Sequence, residues 1–443
     1  MHSGFTRSRQ DDTNTLFFKA KNGVVALLFM KFRKIFSDKA VDVRTGEKIQ
    51  AKIDDVAYGG DGVARVDDFV LFVPYGVDGD EVEIEIVDLK KNYGKGRIVG
   101  MMNPSPYRVS PPCPYYGLCG GCSMQHISYS HQLELKKHQI EESLRRIAGI
   151  EAPPLREAIA SPHPFGWRGK AEFHLSAAEE KKKIGLMAPQ SNRIIEVEKC
   201  LIADDSINRK YMKLKEEMKE GLAVPAGDRV IVWADDPQGQ PTEIFLDAGK
   251  PPDITRIVKE KRLTVPGGGF FQANRFLLEG LIDEAVAMAA LNGGETVFDL
   301  YGGVGLFALF LGEKAGRLFC VEGDPEAVRC ARINMDRYGL TEAKCYQGDV
   351  SAVLKRQFAG SLTKADVVLL DPPRDGCGGK VIDALSAFQP KRLVYVSCNP
   401  ATQARDIKGF LKNGYRLETM QPMDMFPQTP HVESIALLAR CEN

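Results

Sequence analysis

At 443 residues the chain exceeds what one hydrophobic core ordinarily serves and suits two or three domains. Hydrophobic residues at 44% and charged residues at 27% exclude an intrinsically disordered chain, and 59 Lys+Arg against 59 Asp+Glu exclude a globally basic nucleic-acid binder, so any basic surface must be local. No apolar run reaches a membrane span: Val24–Met30 stops at Lys31, Arg33 and Lys34. That run also lies too far from the start, and lacks the small-residue cleavage site, to read as a secretory signal, so a cytoplasmic protein is expected.

Residues 1–40 carry eight Lys/Arg against three Asp/Glu with no clean period and read as an extension, with Met30 an alternative start. Residues 41–104 change to short alternating runs broken by Gly59-Gly60-Asp61-Gly62, Pro74-Tyr75-Gly76 and Asp78-Gly79-Asp80, the signature of strands and turns in a small β-barrel. Lys90, Lys91, Lys95 and Arg97 interleaved with Tyr93 would meet phosphates and bases there, the alternative being a solvated hairpin. Within residues 105–262, Leu133, Ile140, Leu144 and Ile147 predict an amphipathic helix over 127–150, with His126, His131 and His138 on its polar side. The remainder, 160–255, reads as β-rich, and Lys181–Lys183 as a solvated run. From residue 263 onward, and clearly from Gly294, apolar strands at 296–300, 317–321, 365–370 and 392–396 alternate with helices, which predicts a doubly wound α/β sheet. Ser434–Arg440 follows too short a connection for another crossover helix and reads as an antiparallel strand.

Chemistry-bearing motifs fall at the carboxyl ends of those strands, where ligands of open α/β sheets bind. Asp299-Leu300-Tyr301-Gly302-Gly303-Val304-Gly305 sits at the first strand-to-helix turn, and Glu322 about twenty residues on ends the second strand, placed to accept ribose hydroxyls. The glycine pattern is not that of a dinucleotide site and opens with an acid, which suits the sulfonium and amino group of S-adenosylmethionine. Asp349 follows the third strand, either at an adenine edge or as a helix N-cap. The stiff turn Asp371-Pro372-Pro373-Arg374 follows the fourth strand, and Cys398 in Ser397-Cys398-Asn399-Pro400 the fifth. A cysteine in such a strand is ordinarily core packing; at this edge it is also placed to be a nucleophile.

These last motifs, with His431-Val432-Glu433-Ser434 and the upstream Phe270-Phe271-Gln272-Ala273-Asn274, resemble the RNA (uracil-5-)-methyltransferase family from about Lys48 to the C-terminus. The β-rich segment near the start resembles the OB-like TRAM domain. The resemblance implies a class I Rossmann-like methyltransferase domain, a β-rich central domain and an N-terminal RNA-binding barrel. It implies that Cys398 adds to uracil C6 and that Glu433 removes the C5 proton. It places Gln272, Tyr301, Glu322, Asp349 and Asp371 on the cofactor and Phe270 near an extruded base. Leu306 departs from the family, some of whose members have asparagine there. Cys113, Cys119, Cys122 and Cys200 match the four cysteines that bind a 4Fe-4S cluster, zinc being the rival ligand. The expected partner is RNA, 23S rRNA ahead of tRNA, acted on by a monomer. A radical S-adenosylmethionine enzyme is excluded because its cluster needs C-x3-C-x2-C and the spacing here is C-x5-C-x2-C. An amino-methyltransferase would need neither Cys398 nor Glu433, and a non-catalytic RNA-binding module would need neither of them.

Overall fold

A computed structural model describes residues 43–441, apart from residues 68, 177–182, 223–226, 237–242, 247–250 and 359–363, and apart from the side chains of 243–246. The expected extension at 1–40, with Met30, and most of the basic run at 181–183 lie outside the described residues.

Five strands, β1 (Lys48–Val56), β2 (Asp61–Val66), β3 (Phe69–Pro74), β4 (Glu81–Leu89) and β5 (Tyr93–Asn103), close a barrel in the order β1-β2-β3-β5-β4. Alternation sends Ile53, Ala64, Leu71, Val73, Val82 and Ile84 inward, all essentially inaccessible to water. Helix α1 (Tyr129–Ser143) then runs on through a π-type turn at Leu144–Ala148 and ends at Gly149 in a left-handed conformation. A second sheet, β10-β9-β6-β7-β8, is built from β6 (Lys170–Leu175), β7 (Ile184–Met187), β8 (Ile194–Ile195), β9 (Arg229–Trp233) and β10 (Glu243–Leu246). The reading of 160–255 as β-rich omitted α2 (Asp205–Lys219), which is capped by Asp204 and packs Tyr211 flat on Phe173 at 4.1 Å. A hairpin of β11 (Asp253–Val258) and β12 (Lys261–Pro266) and helix α3 (Leu278–Ala289) lead into the largest sheet.

That sheet has the order β15-β14-β13-β16-β17-β19-β18. Its strands are β13 (Thr296–Leu300), β14 (Arg317–Glu322), β15 (Lys344–Gln347), β16 (Val367–Leu370), β17 (Arg392–Ser397), β18 (Tyr415–Met423) and β19 (Glu433–Arg440). The first five are parallel and joined by helices, while β19 pairs antiparallel with β17 and β18, as its short connection predicts. Val297, Val367, Leu369, Val394 and Val396 enter the core on one face. Phe298, Leu300, Val368, Leu370, Leu393 and Tyr395 enter the core on the other. Both faces are therefore covered, which is why these strands are continuously apolar rather than alternating. Ile140, Leu144 and Ala148 of α1 and its π-type turn join the second core, so the helix packs on the seven-stranded sheet.

The histidines beside α1 meet polar groups as expected, but two of them are not at the solvated surface. His126 and His131 are buried, and His131 is hydrogen-bonded to Asp78 on the barrel at 2.8 Å and to Glu134 at 2.8 Å while stacking on Tyr107 at 3.6 Å. The buried face of α1 is in fact polar, with Gln132, Lys136 and Gln139 each meeting a partner from elsewhere in the fold.

Candidate active site

The turn after β13 depends on its glycines. Tyr301 takes φ 64°, and a Cβ on Gly302 would lie 2.7 Å from Cys320 Sγ and 2.9 Å from Asp299 Oδ2, so only glycine fits there. Glu322 accepts from the backbone N–H of Gly303 at 2.9 Å and of Asp324 at 2.8 Å, which locks the two loops together. Asp299 is fully buried; its Oδ2 accepts from Ala308 N at 2.9 Å, and its Oδ1 has no partner. Burial, opposed by the Ala308 bond and reinforced by Glu322, raises its acid to about 7. Asp371 is half-buried with protein packed densely round it; burial, then Asp299 and Glu322, raise it to about 7 as well. Gln272 Nε2 donates to Asp371 Oδ2 at 3.3 Å, and Asn274 pins that segment by accepting from Phe276 N and Leu277 N. Three carboxylates thus cluster at the carboxyl edge of the sheet, an arrangement that a cationic ligand would relieve.

The other sequence-predicted residues divide. Tyr301 lies in the same turn, half-buried, with its hydroxyl raised far above its ordinary value by burial. Asp349 is exposed at the edge strand, where its Oδ1 accepts from Ser351 Oγ at 2.8 Å and Ala352 N at 2.9 Å, so the capping role is the one its hydrogen bonds display. Leu306 is packed in the core at the first residue of helix α4 (Leu306–Leu311). Phe270 is 75% exposed on a turn held by Lys170 Nζ, which donates to Gly269 O at 2.6 Å.

Cys398 and Glu433 are brought together by strand register. Ser397 ends β17 opposite Ser434 on β19, so Cys398 and Glu433 adjoin the same terminal pair, and the charge of Glu433 reaches the thiol. Burial raises the Cys398 thiol to about 12, with the charge of Glu433 and then of Asp371 adding to it; Arg374, which also donates to the sulfur, opposes. Glu433 is buried, and burial followed by Asp371 pushes its carboxyl well above its ordinary range against the pull of Arg374. Asn399 fixes this corner: its Oδ1 caps helix α5 (Pro400–Lys412) and its Nδ2 donates to Arg374 O at 3.0 Å, tying the Cys398 loop to the Asp371-Pro372-Pro373-Arg374 turn.

Sequence reasoning missed three residues here. Arg374 lies in a recognised motif without an assigned role, and its guanidinium meets His431 Nε2 at 3.3 Å. His431 is lowered to about 4, by burial first and then Arg374, so the neutral ring accepts from Arg374. Tyr58 comes from the barrel and donates to Cys398 O at 3.3 Å; no sequence pattern signals a contact across 340 residues.

The four cysteines of the proposed cluster, Cys113, Cys119, Cys122 and Cys200, line one cavity with Tyr115, Tyr116 and Gln125. Among the described residues, no three His, Cys, Asp or Glu side chains close tightly enough to form a metal-holding group as they stand. The shared cavity is the stronger observation, because a thiol swings about one bond whereas the backbones that converge here do not. The sulfurs also have donors: Gly121 N lies 3.4 Å from Cys119 Sγ, the N–H groups of Tyr115 and Tyr116 reach Cys113, and Gln125 reaches Cys122. Cys200 is held by Asn208 of α2, which accepts from its N–H at 2.8 Å and donates to its carbonyl at 3.0 Å. Three of the four sulfurs thus have N–H donors, and the fourth cysteine is held through its backbone, an arrangement compatible with thiolate ligands to one shared group.

The basic stretch of the barrel is at the surface. Lys90, Lys91, Lys95 and Arg97 are exposed, with Lys90 paired to Asp88 at 3.0 Å and Arg97 to Glu85, while the Tyr93 ring meets Phe72 edge-on at 5.7 Å. Among the described residues no helix is long and apolar enough to cross a membrane.

A closed five-stranded barrel followed by a mixed seven-stranded sheet with an acidic cluster at its carboxyl edge defines a class I methyltransferase fold joined to an OB-like module. Residues 257–441 match the tRNA (uracil-5-)-methyltransferase family model, and residues 42–99 the TRAM domain model. A protein of Halalkalibacterium halodurans described as an uncharacterized RNA methyltransferase is 32% identical over 455 residues, covering 91% of this chain and 99% of that one. One of Caldanaerobacter subterraneus with the same description is 33% identical over 450 residues, covering 90% and 99%. The crystal structure of Pyrococcus abyssi tRNA (uracil-54, C5)-methyltransferase in complex with S-adenosyl-L-homocysteine matches with a TM-score of 0.67 and 22% identity, over 88% of this chain and all of that one. The chain belongs to the RNA (uracil-5-)-methyltransferase family and is an RNA methyltransferase of that class.

Proposed function

We propose that this enzyme transfers a methyl group from S-adenosylmethionine to C5 of a uridine in structured RNA, 23S rRNA being the preferred substrate and tRNA the alternative, in the cytoplasm. The observation that carries the reading is the juxtaposition of Cys398 and Glu433 at one end of the β17–β19 pair beside a cluster of three carboxylates. S-adenosylmethionine supplies the methyl group on a cationic sulfur, and its charges match Asp299, Glu322 and Asp371. Gln272 orients the Asp371 carboxylate toward that charge.

C5 of uracil is a weak nucleophile until C6 carries an added group. Cys398 supplies that group as a thiolate, with Arg374 stabilising the sulfur as its proton leaves. The electron pair displaced toward C5 takes the methyl group. Glu433 then removes the C5 proton, and the C5–C6 double bond re-forms as the thiolate departs; the proton on Glu433 returning to that thiolate restores the enzyme, the original thiol proton having passed to solvent. The uridine must leave its stack to reach Cys398, at a cost of roughly a few kcal/mol, and Phe270 is exposed to receive it. Cys113, Cys119, Cys122 and Cys200 would hold a 4Fe-4S cluster, which would cross-link the cysteine loop to the chain before α2 and take no part in the chemistry.

Incubation with labelled S-adenosylmethionine and separate rRNA and tRNA pools, followed by nucleoside mapping, tests this. Label in 5-methyluridine from 23S rRNA is expected; label on adenine or cytosine refutes the reaction, and label confined to tRNA refutes the substrate.

A further inference from the structure

The barrel touches both arms of the active site through one side chain. Tyr58 stands in the β1–β2 turn, where Gly60 N donates to Ala57 O and Ala57 N to Asp61 O, each at 2.9 Å. Gly59 and Gly60 both take positive φ, and a Cβ on Gly60 would come within 2.9 Å of Ser123 Oγ, so the turn lies tightly against the loop that follows Cys122. From there the Tyr58 hydroxyl donates to Cys398 O at 3.3 Å, while its ring meets His431 edge-on at 6.5 Å, two residues before Glu433. The tyrosine therefore spans the strand-end loop that carries the thiol and the loop that carries the base.

The rest of the barrel is seated firmly enough for this contact to matter. Gln139 Nε2 donates to Val56 O at 3.0 Å, Asp78 bonds His131, and Val56 and Val77 are buried with Met124, Ile127 and Leu135. The cysteine loop continues the chain of contacts: Ser123 N and Met124 N both donate to Gln428 O at 3.1 Å, on the approach to His431. Tyr58 is thus presented by a fixed turn, not by a wandering loop. Burial, with Cys398 and Glu433 nearby, raises its hydroxyl to about 12, so it remains a donor throughout the working pH range.

We propose that Tyr58 is a positioning residue: through its hydroxyl on the Cys398 carbonyl, the RNA-binding barrel holds the nucleophile's loop in the place from which the sulfur reaches uracil C6. The same barrel that captures RNA thereby sets the geometry of the first covalent step. Tyr58 itself exchanges no proton with the substrate. The inference rests on the proposed role of Cys398 and adds to it a residue outside the methyltransferase domain.

The test is single-turnover formation of the gel-stable adduct between the full-length protein and 5-fluorouridine-substituted rRNA in the presence of S-adenosylmethionine, comparing wild type with Tyr58→Phe. The variant keeps the ring and loses only the hydroxyl, and its thermal melting reports whether the fold is intact. Loss of one hydrogen bond that acts on the reacting loop predicts adduct formation and kcat slower by about threefold to tenfold, with KM for RNA unchanged. Tyr58→Leu, which also removes the edge contact with His431, is expected to slow the step further at the same KM. An unchanged adduct rate in Tyr58→Phe, or a rise in KM with no fall in kcat, overturns the positioning role. If wild type forms no adduct with 5-fluorouridine-substituted rRNA or with tRNA substituted in the same way, the covalent reading of Cys398 fails, and the inference fails with it.

Discussion

Asp299→Asn separates what the acid pocket costs from what it does. Asp299 is fully buried with one carboxylate oxygen unpartnered, and its acid stands at about 7 against an ordinary 3.8. At about 1.36 kcal/mol per pH decade, holding it ionised at pH 8 without a cationic ligand costs at most about 4 kcal/mol. The asparagine keeps the shape and the bond from Ala308 N but leaves a buried amide N–H unpaired, at about 1–3 kcal/mol. The ligand-free variant should therefore be more stable than wild type at pH 8, by roughly 1–3 kcal/mol. Because the folded-state acid is raised, the wild type's penalty is fully present above pH 7 and fades as pH falls toward the unfolded value near 4. The gap should accordingly narrow by roughly 2–3 kcal/mol between pH 8 and pH 5. Chemical denaturation of ligand-free protein at both pH values measures this. Binding of S-adenosylmethionine should weaken in the variant by about tenfold or more, read by calorimetry at pH 8. A variant that is less stable than wild type at pH 8, or that binds S-adenosylmethionine equally well, refutes the reasoning.

Further expectations follow from the same geometry. Cys398→Ala should abolish both methyl transfer and any adduct with 5-fluorouridine RNA, while its circular dichroism and affinity for S-adenosylmethionine match wild type. Glu433→Gln should still add to C6 but fail to release the C5 proton, slowing turnover by about 10²–10⁴-fold and accumulating covalent protein–RNA on natural uridine, visible on denaturing gels. Because burial holds the Cys398 thiol near 12, the thiolate fraction grows with pH, and the rate of adduct formation should rise between pH 6 and pH 9; a flat profile would count against thiolate attack. Protein prepared without oxygen should carry about four iron and four sulfide per chain, and Cys122→Ser should lose them; zinc in their place would replace the cluster assignment.

Much of the methyltransferase sheet was legible because its strands are covered on both faces and so read as unbroken apolar runs, each closed by an acid, a proline turn or the cysteine. Pairing was less so. The meeting of Cys398 with Glu433 is fixed by Ser397 lying opposite Ser434, a register that neither strand reveals alone. Asp349 shows the limit of position in the chain as a guide, since an acid after a strand serves a helix cap as well as a ligand. The histidines beside α1 misled because charge alternation normally marks the solvated face, whereas here the barrel and the 424–428 segment cover that face with matching polar groups. Tyr58 and α2 were missed for different reasons: the tyrosine acts across 340 residues, and the Lys- and Glu-rich helix lies inside a stretch otherwise made of strands.

Methylation at C5 must expel the C5 hydrogen, which no other site of methylation on uridine requires. The direct measurement is therefore tritium released to water from 23S rRNA labelled as [5-3H]uridine, followed alongside methyl incorporation from S-adenosylmethionine. Tritium release equal to methyl groups transferred, and lost in Cys398→Ala, is the predicted result. Methyl transfer without tritium release would contradict the account.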